Sequence, residues 1–152
     1  MARYYRSYRR PIRKSRRPTN KIIRAGHTTV TSGGTVTGYL YTASEPQTAM
    51  SIKLDLGMTY EGAGDPIIAY CLVVVREGYN ANAINYPALT DDMYNPTQDV
   101  LISGVLTDTT SEDHKYARVG RKLKPGDRLA LLFYSPSGNP TCTFEINFTT
   151  LH

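Results

Sequence analysis

From His27 onward, hydrophobic positions along the chain recur with a period of two. Ile52, Leu54, Leu56 and Met58 alternate with Ser51, Lys53, Asp55 and Gly57, and Cys142, Phe144, Ile146 and Phe148 alternate with Thr143, Glu145, Asn147 and Thr149. Successive side chains of a strand point to opposite faces, so each run predicts a strand with one face in the core. Six further segments read as strands: His27 to Thr31, Thr35 to Thr42, Ile67 to Arg76, Val100 to Leu106, Lys115 to Leu123 and Asp127 to Tyr134. Between them lie Ser32-Gly33-Gly34, Gly62-Ala63-Gly64-Asp65-Pro66, Lys124-Pro125-Gly126-Asp127 and Pro136-Ser137-Gly138-Asn139-Pro140. These segments supply the positive φ and fixed φ values that reverse a chain. No segment offers a convincing amphipathic helix. Eight short strands joined by short turns predict an all-β protein, either an eight-stranded antiparallel jelly roll or another Greek-key sandwich.

One connection breaks the pattern of short turns. Gly78 to Gln98 is long for a compact domain and is rich in tyrosine and proline, with Tyr79, Tyr86 and Tyr94 beside Pro87 and Pro96. Long loops carry function or contacts, and tyrosine supplies contact area at low entropic cost. Tyr79, Tyr86 and Tyr94 are therefore candidate subunit-interface residues, with an ordered loop closing one end of the sandwich as the alternative.

Charge changes the picture at the N-terminus. Residues 1–24 hold ten of the eighteen Lys and Arg and no acid, whereas the rest of the chain holds eight basic and all thirteen acidic residues. The overall +5 is thus a cationic arm, residues 1–24, on a mildly acidic body, residues 25–152. Arg3, Arg6, Arg9, Arg10, Arg13, Lys14, Arg16, Arg17, Lys21 and Arg24 interleave with Tyr4, Tyr5 and Tyr8, while Pro11 and Pro18 oppose a continuous helix. The composition predicts an arm that is disordered when free. Guanidinium forks pair with phosphates and tyrosine rings stack on unpaired bases, so the arm suits single-stranded nucleic acid, with salt-sensitive and sequence-tolerant binding. The same basic run fits a nuclear-import signal. Membrane attachment fits poorly, because the arm lacks the apolar side of an amphipathic helix. Arg118, Arg121, Lys122, Lys124 and Arg128 form the body's one basic cluster. It either continues the nucleic-acid surface or pairs with the body's acids.

Catalytic and metal chemistry are thinly represented. Cys71 and Cys142 show neither a CxxC pair nor zinc spacing, and we read both as core residues rather than a disulfide or a metal site. Glu112-Asp113-His114 places acids beside a histidine, but we read it as a solvated turn between strands. Asp91, Asp92 and Asp99 could approach a calcium ion, yet no loop signature supports this. Gly62-Ala63-Gly64 lacks the helix that a phosphate-binding loop would open. The longest purely apolar run, Leu72 to Val75, is too short to span a membrane, and the residues after Met1 lack the apolar core of a secretion signal. We therefore expect no enzyme, no cofactor and no membrane partner.

These residues together carry a resemblance. An Arg/Tyr-rich N-terminus before a compact all-β body resembles the capsid proteins of small circular single-stranded DNA viruses that encode a replication initiator, among them circoviruses, cycloviruses and nanoviruses. Three stretches are similar to those of uncultured members of the group. The first is Tyr39-Leu40-Tyr41-Thr42-Ala43 with Ile52-Lys53-Leu54-Asp55-Leu56. The second is Leu72-Val73-Val74-Val75-Arg76-Glu77-Gly78 with Asn95-Pro96-Thr97-Gln98-Asp99-Val100-Leu101, and the third is Arg121-Lys122-Leu123-Lys124-Pro125-Gly126-Asp127. The chain departs from circovirus capsid proteins in being shorter and in lacking Trp. The resemblance implies a single jelly roll and self-assembly of about sixty copies into a T=1 icosahedral shell. It also implies inward-facing arms that package single-stranded DNA, a place in the virion and transit through the host nucleus. The alternatives are the capsid protein of a small or satellite RNA virus and a cellular RNA-binding β-domain with a basic extension.

Overall fold

The structure is a computed structural model that describes residues 19–81 and 98–151. The candidate arm residues Arg3 to Arg17, together with Tyr86, Asp91, Asp92 and Tyr94 of the long connection, lie outside the described residues. The described residues contain eight strands and no helix. In chain order these are β1 (Thr19–Thr29), β2 (Thr35–Thr42), β3 (Gln47–Thr59), β4 (Ile67–Val75), β5 (Gln98–Thr107), β6 (Glu112–Leu123), β7 (Arg128–Tyr134) and β8 (Thr141–Leu151). They form two four-stranded sheets, ordered β1-β8-β3-β6 and β2-β7-β4-β5, and all their pairings are antiparallel.

The alternation read from sequence is what positions the core. Ile52, Leu54, Leu56 and Met58 of β3 and Cys142, Ile146 and Phe148 of β8 are buried, and they pack against Ile68, Tyr70, Leu72 and Val74 of β4 and Leu129, Leu131 and Phe133 of β7. Each such aliphatic or aromatic side chain contributes about 1.5–3 kcal/mol on leaving water. A second apolar cluster lies on the other face of β4 and β7, formed by Cys71, Val73, Val75, Ala130 and Leu132 with Ala81 and Val100 packed on it. Strand β4 is thus apolar on both faces, which is why its sequence reads as a continuous hydrophobic run rather than an alternation.

Polar links tie the two sheets together. Arg24 Nε donates to the Leu40 carbonyl (3.3 Å), Gln47 Nε2 to the Tyr41 hydroxyl (2.6 Å), and the Tyr70 hydroxyl to Asp113 (2.5 Å). The Tyr70 link passes Gly104 on β5, where an added Cβ would lie 2.3 Å from the hydroxyl oxygen. At the β6–β7 corner, Asp127 accepts from the Lys124 amide (2.9 Å), the Glu77 amide (3.1 Å) and Arg76 Nη1 (2.8 Å), and Arg76 Nη2 reaches Asp99 (2.7 Å).

Two readings of the sequence are corrected here. Strand β1 begins at Thr19 and pairs with β8 from Thr19↔Leu151 onward, so Lys21 and Arg24 are strand residues. Ladder hydrogen bonds to β8 and the half-buried Ile22 outweigh the basic composition that extended the arm to residue 24. Glu112, Asp113 and His114 open β6 rather than forming a turn, because each has a pairing partner on β3, in Gly57, Leu56 and Asp55.

Candidate nucleic-acid interface

The solvent face of the β1-β8-β3-β6 sheet is built by the polar half of each alternation, and the pairing registers sort it into rows. Residues opposite each other on neighbouring antiparallel strands share a face, with Cβ atoms about 4.5–5.5 Å apart. Starting from the end where the chain enters the sheet, the first row is Thr19, Leu151, Thr48 and Lys122, and the second is Lys21, Thr149, Ser51 and Arg118. The third row is Ile23, Asn147, Lys53 and Tyr116, the fourth Ala25, Glu145, Asp55 and His114, and the fifth His27, Thr143, Gly57 and Glu112. The first three rows hold Lys21, Lys53, Arg118 and Lys122 and no carboxylate, whereas the fourth and fifth hold Asp55, Glu145 and Glu112. One face of one sheet therefore runs from basic to acidic along its strands.

Arg121 belongs to the margin of the basic end. Alternation from Ala117 through Val119 gives Arg121 a core-side position, and its partner is the buried Ala49, yet it is exposed on the edge strand where the β3–β6 register shifts between Ala49 and Ser51 and Gly120 adopts φ 56°. Four residues of β6, Arg118 to Arg121, span three of β3, Ala49 to Ser51. This extra residue is a bulge of the kind that glycine's positive φ allows. Val119 packs against the core and Leu123 is buried, while Arg121 and Lys122 are exposed.

Of the two readings of the body's basic cluster, the ion pairs favour the surface. Asp55 pairs with Lys53 (2.7 Å) and His114 (2.7 Å), Asp113 with Lys115 (3.2 Å), and Asp99 and Asp127 with Arg76 (2.7 and 2.8 Å). Those acids are engaged by other cations, and Arg118, Arg121, Lys122 and Lys124 are exposed. Arg128 has a different task. Its guanidinium carbon sits 4.2 Å from the Tyr39 ring centroid, and its Nη2 donates to the Tyr79 carbonyl. With the Ala81 amide donating to the Tyr39 hydroxyl (3.2 Å), it pins residues 79–81 beside β2. The Tyr79 ring is half exposed, compatible with the contact role read from sequence. Arg24, by contrast, spends its Nε on Leu40 and Nη1 on the Ile23 carbonyl (3.1 Å). It braces the two sheets, a role that the charge pattern of the arm could not separate from phosphate binding.

The acidic end carries a shallow groove of about 370 Å³ lined by Gly26, Asp55, Gly57, Glu112, His114, Thr143 and Glu145. Hydrogen bonds from Lys53 and His114 hold the Asp55 carboxyl below the usual carboxylate range, while the bond to Asp55 raises Lys53. The Thr143 hydroxyl donates to the Gly57 carbonyl (3.3 Å). Among the described residues, no group of three or more His, Cys, Asp or Glu could hold a metal ion. Cys71 and Cys142 are free and buried, in the outer and the inter-sheet cluster respectively. Burial pushes their thiols up to about 11 and about 12, consistent with core positions and far from the depressed values of reactive cysteines.

The exposed Tyr116 escaped sequence reasoning. Its position between His114 and Arg118 in the alternation of β6 was the available signal, since every second residue of that strand faces solvent. No protein-family model matches this chain, and no curated protein matches it.

Proposed function

We propose that the protein is a viral capsid protein: a jelly roll that self-assembles into a T=1 icosahedral shell and packages single-stranded DNA through its basic N-terminal arm. One observation carries the reading. The antiparallel pairs β1·β8, β2·β7, β3·β6 and β4·β5 match the first strand with the last, the second with the next to last, and so inward. That pairing, of one long hairpin folded over on itself, supports the jelly-roll reading. The links β3·β8 and β4·β7 then join alternate layers of the hairpin into the two sheets. Viral capsid domains use this architecture, and here it is joined to a segment in which residues 1–18 include eight Lys and Arg and no acid.

The charge distribution supports the packaging role. Assembly coupled to neutralisation needs a cationic segment to condense the strand and a body that does not repel its neighbours. Counted from Thr19, where β1 begins, the body holds ten basic and thirteen acidic residues, a small net charge that limits repulsion between copies. With about sixty copies, the eight charges of residues 1–18 neutralise on the order of 480 phosphates, and many weak arm contacts on one strand raise the local concentration of subunits. The arm's basic run also serves nuclear entry in this reading. The long connection with Tyr79, Tyr86 and Tyr94 serves contacts between subunits.

The test is sizing chromatography of the purified full-length protein with absorbance at 260 and 280 nm, followed by negative-stain electron microscopy. Uniform closed shells that co-elute with nuclease-identified DNA are expected. Shells containing RNA would transfer the reading to an RNA-virus capsid. A monomer that stays monomeric when single-stranded DNA is added at low salt would overturn it in favour of an accessory nucleic-acid-binding domain.

A further inference from the structure

We infer that the basic half of the β1-β8-β3-β6 face is a second nucleic-acid site, separate from the arm, in which Tyr116 is a stacking platform for an unpaired base and Lys21, Arg118 and Lys122 hold the flanking phosphates. The inference deepens the packaging reading and rests on it. Tyr116 is 66% exposed, the most exposed large hydrophobic side chain among the described residues. It stands on an edge strand directly opposite Lys53 and two residues from Arg118, about 6.8 Å along the strand on the same face. An aromatic ring left in water beside cations is poor core chemistry and good single-strand chemistry, because every base has a face to stack and every nucleotide a phosphate to pair.

Three placements favour nucleic acid over other occupants. The half-face with Tyr116 carries Lys21, Arg118 and Lys122 and no carboxylate, while the same face turns acidic one row further on, where Asp55 pairs with Lys53. A polyanion would therefore be confined to the basic rows and excluded from those of Asp55, Glu145 and Glu112. The chain enters this sheet at Thr19, in the row of Lys122, so residues 1–18 are tethered at the basic end and raise the concentration of any strand they hold beside it. Finally, Ser51, Thr149 and Asn147 occupy the middle of the basic rows, offering small polar side chains over which a backbone can pass. Sequence-tolerant binding follows, since phosphate pairing and stacking read no base edge.

The chain contains no Trp, so Tyr116→Trp in the full-length protein places a single indole at the site. Titration with a fluorescein-labelled oligothymidylate of about 20 nucleotides then gives two readouts, oligonucleotide anisotropy for binding anywhere and indole emission for stacking at this position. Expected is a saturable rise in anisotropy with indole emission quenched by about half, and no quenching in Tyr39→Trp on the other sheet. At salt high enough to screen the arm, Tyr116→Ala should weaken binding about tenfold and Tyr116→Phe should restore it, since the ring and not the hydroxyl stacks. Rising anisotropy with unchanged indole emission would overturn the second site and leave the arm reading intact. No anisotropy change in any variant would overturn the arm reading itself. Indole emission that shifts with protein concentration before any oligonucleotide is added would overturn the inference by making this face a contact between copies of the chain.

Discussion

Replacing Asp127 tests whether one carboxylate holds the corner where four segments meet. Its side chain is almost wholly buried and receives the amides of Lys124 and Glu77 and one arm of Arg76. Its backbone carbonyl takes the Ala43 amide (2.9 Å), and the neighbouring Gly126 amide goes to the Ala43 carbonyl (2.8 Å). The corner thus joins the ends of β2, β4 and β6 to the start of β7, and through Arg76 to Asp99 on β5. In Asp127→Ala two backbone donors lose a charged acceptor, at about 1.5 kcal/mol each. Arg76 keeps Asp99 and is one-third exposed, so its loss counts as an exposed pair of about 0.5 kcal/mol. The sum is about 3.5 kcal/mol, which at a urea slope of about 2 kcal/mol per molar lowers the unfolding midpoint by about 1.8 M.

The assay is urea unfolding at pH 7, followed by far-ultraviolet circular dichroism at a concentration where sizing shows monomer. Asp127→Asn keeps the volume and one acceptor oxygen, and should lose roughly half as much. The pH dependence supplies an independent check. Burial alone would raise the Asp127 carboxyl, but hydrogen bonds from Lys124, Arg76 and Glu77 and the Arg76 charge outweigh it and hold it low. A depressed folded value means that its stabilisation is fully present above the unfolded carboxylate value of about 3.9 and is lost as pH falls through the folded value. The difference between wild type and Asp127→Asn should therefore be constant from pH 7 to about 5 and shrink below about 4. A midpoint for Asp127→Ala within about 0.3 M of wild type would refute the corner as a determinant of stability.

Removing residues 1–18 should leave circular dichroism and thermal midpoint near wild type, whereas removing residues 1–24 should cost about 3 kcal/mol or more in the same urea assay, because six paired residues of β1 and the Arg24 brace are lost. Equal stability of the two truncations would place the start of the domain after residue 24. Gly104→Ala should destabilise by about 1–3 kcal/mol through collision with the Tyr70 hydroxyl, and Gly104→Ala combined with Tyr70→Phe should recover part of the loss in thermal melts. Cys71 and Cys142, with thiols raised by burial, should resist a thiol-specific disulfide reagent at pH 8 in the folded protein and react at once in urea; rapid labelling of the native chain would contradict their placement in the two clusters.

How much of this the sequence discloses depends on which interactions decide each feature. β3 and β8 are legible because one face of each is core, so that side-chain period and burial coincide. β2 matches its predicted limits, Thr35 to Thr42, since Ser32-Gly33-Gly34 ends the preceding segment on a positive-φ glycine. β1 is where local pattern fails. Thr19 to Arg24 carries no apolar alternation beyond Ile22, and only the partner strand β8 makes those residues a strand. Glu112 to His114 fails for the same reason, because pairing with β3 is a non-local property. The outer cluster on β4 was hidden for another reason: an uninterrupted apolar run states that both faces are covered without stating by what.

The candidate site divides along similar lines. Net charge located the arm, and exposure located the body's cations, but the sorting of charge along one sheet face is a property of register. Ser51 stands opposite Arg118 and Asp55 opposite His114 on one side of the bulge at Gly120, and Ala49 stands opposite Arg121 on the other. Arg121 pairs with the buried Ala49 and is exposed at the edge of the sheet, while Lys122, opposite Thr48, continues the basic rows. The positive-φ Gly120 stands in an edge strand, where a bulge interrupts the regular backbone that another strand could pair with.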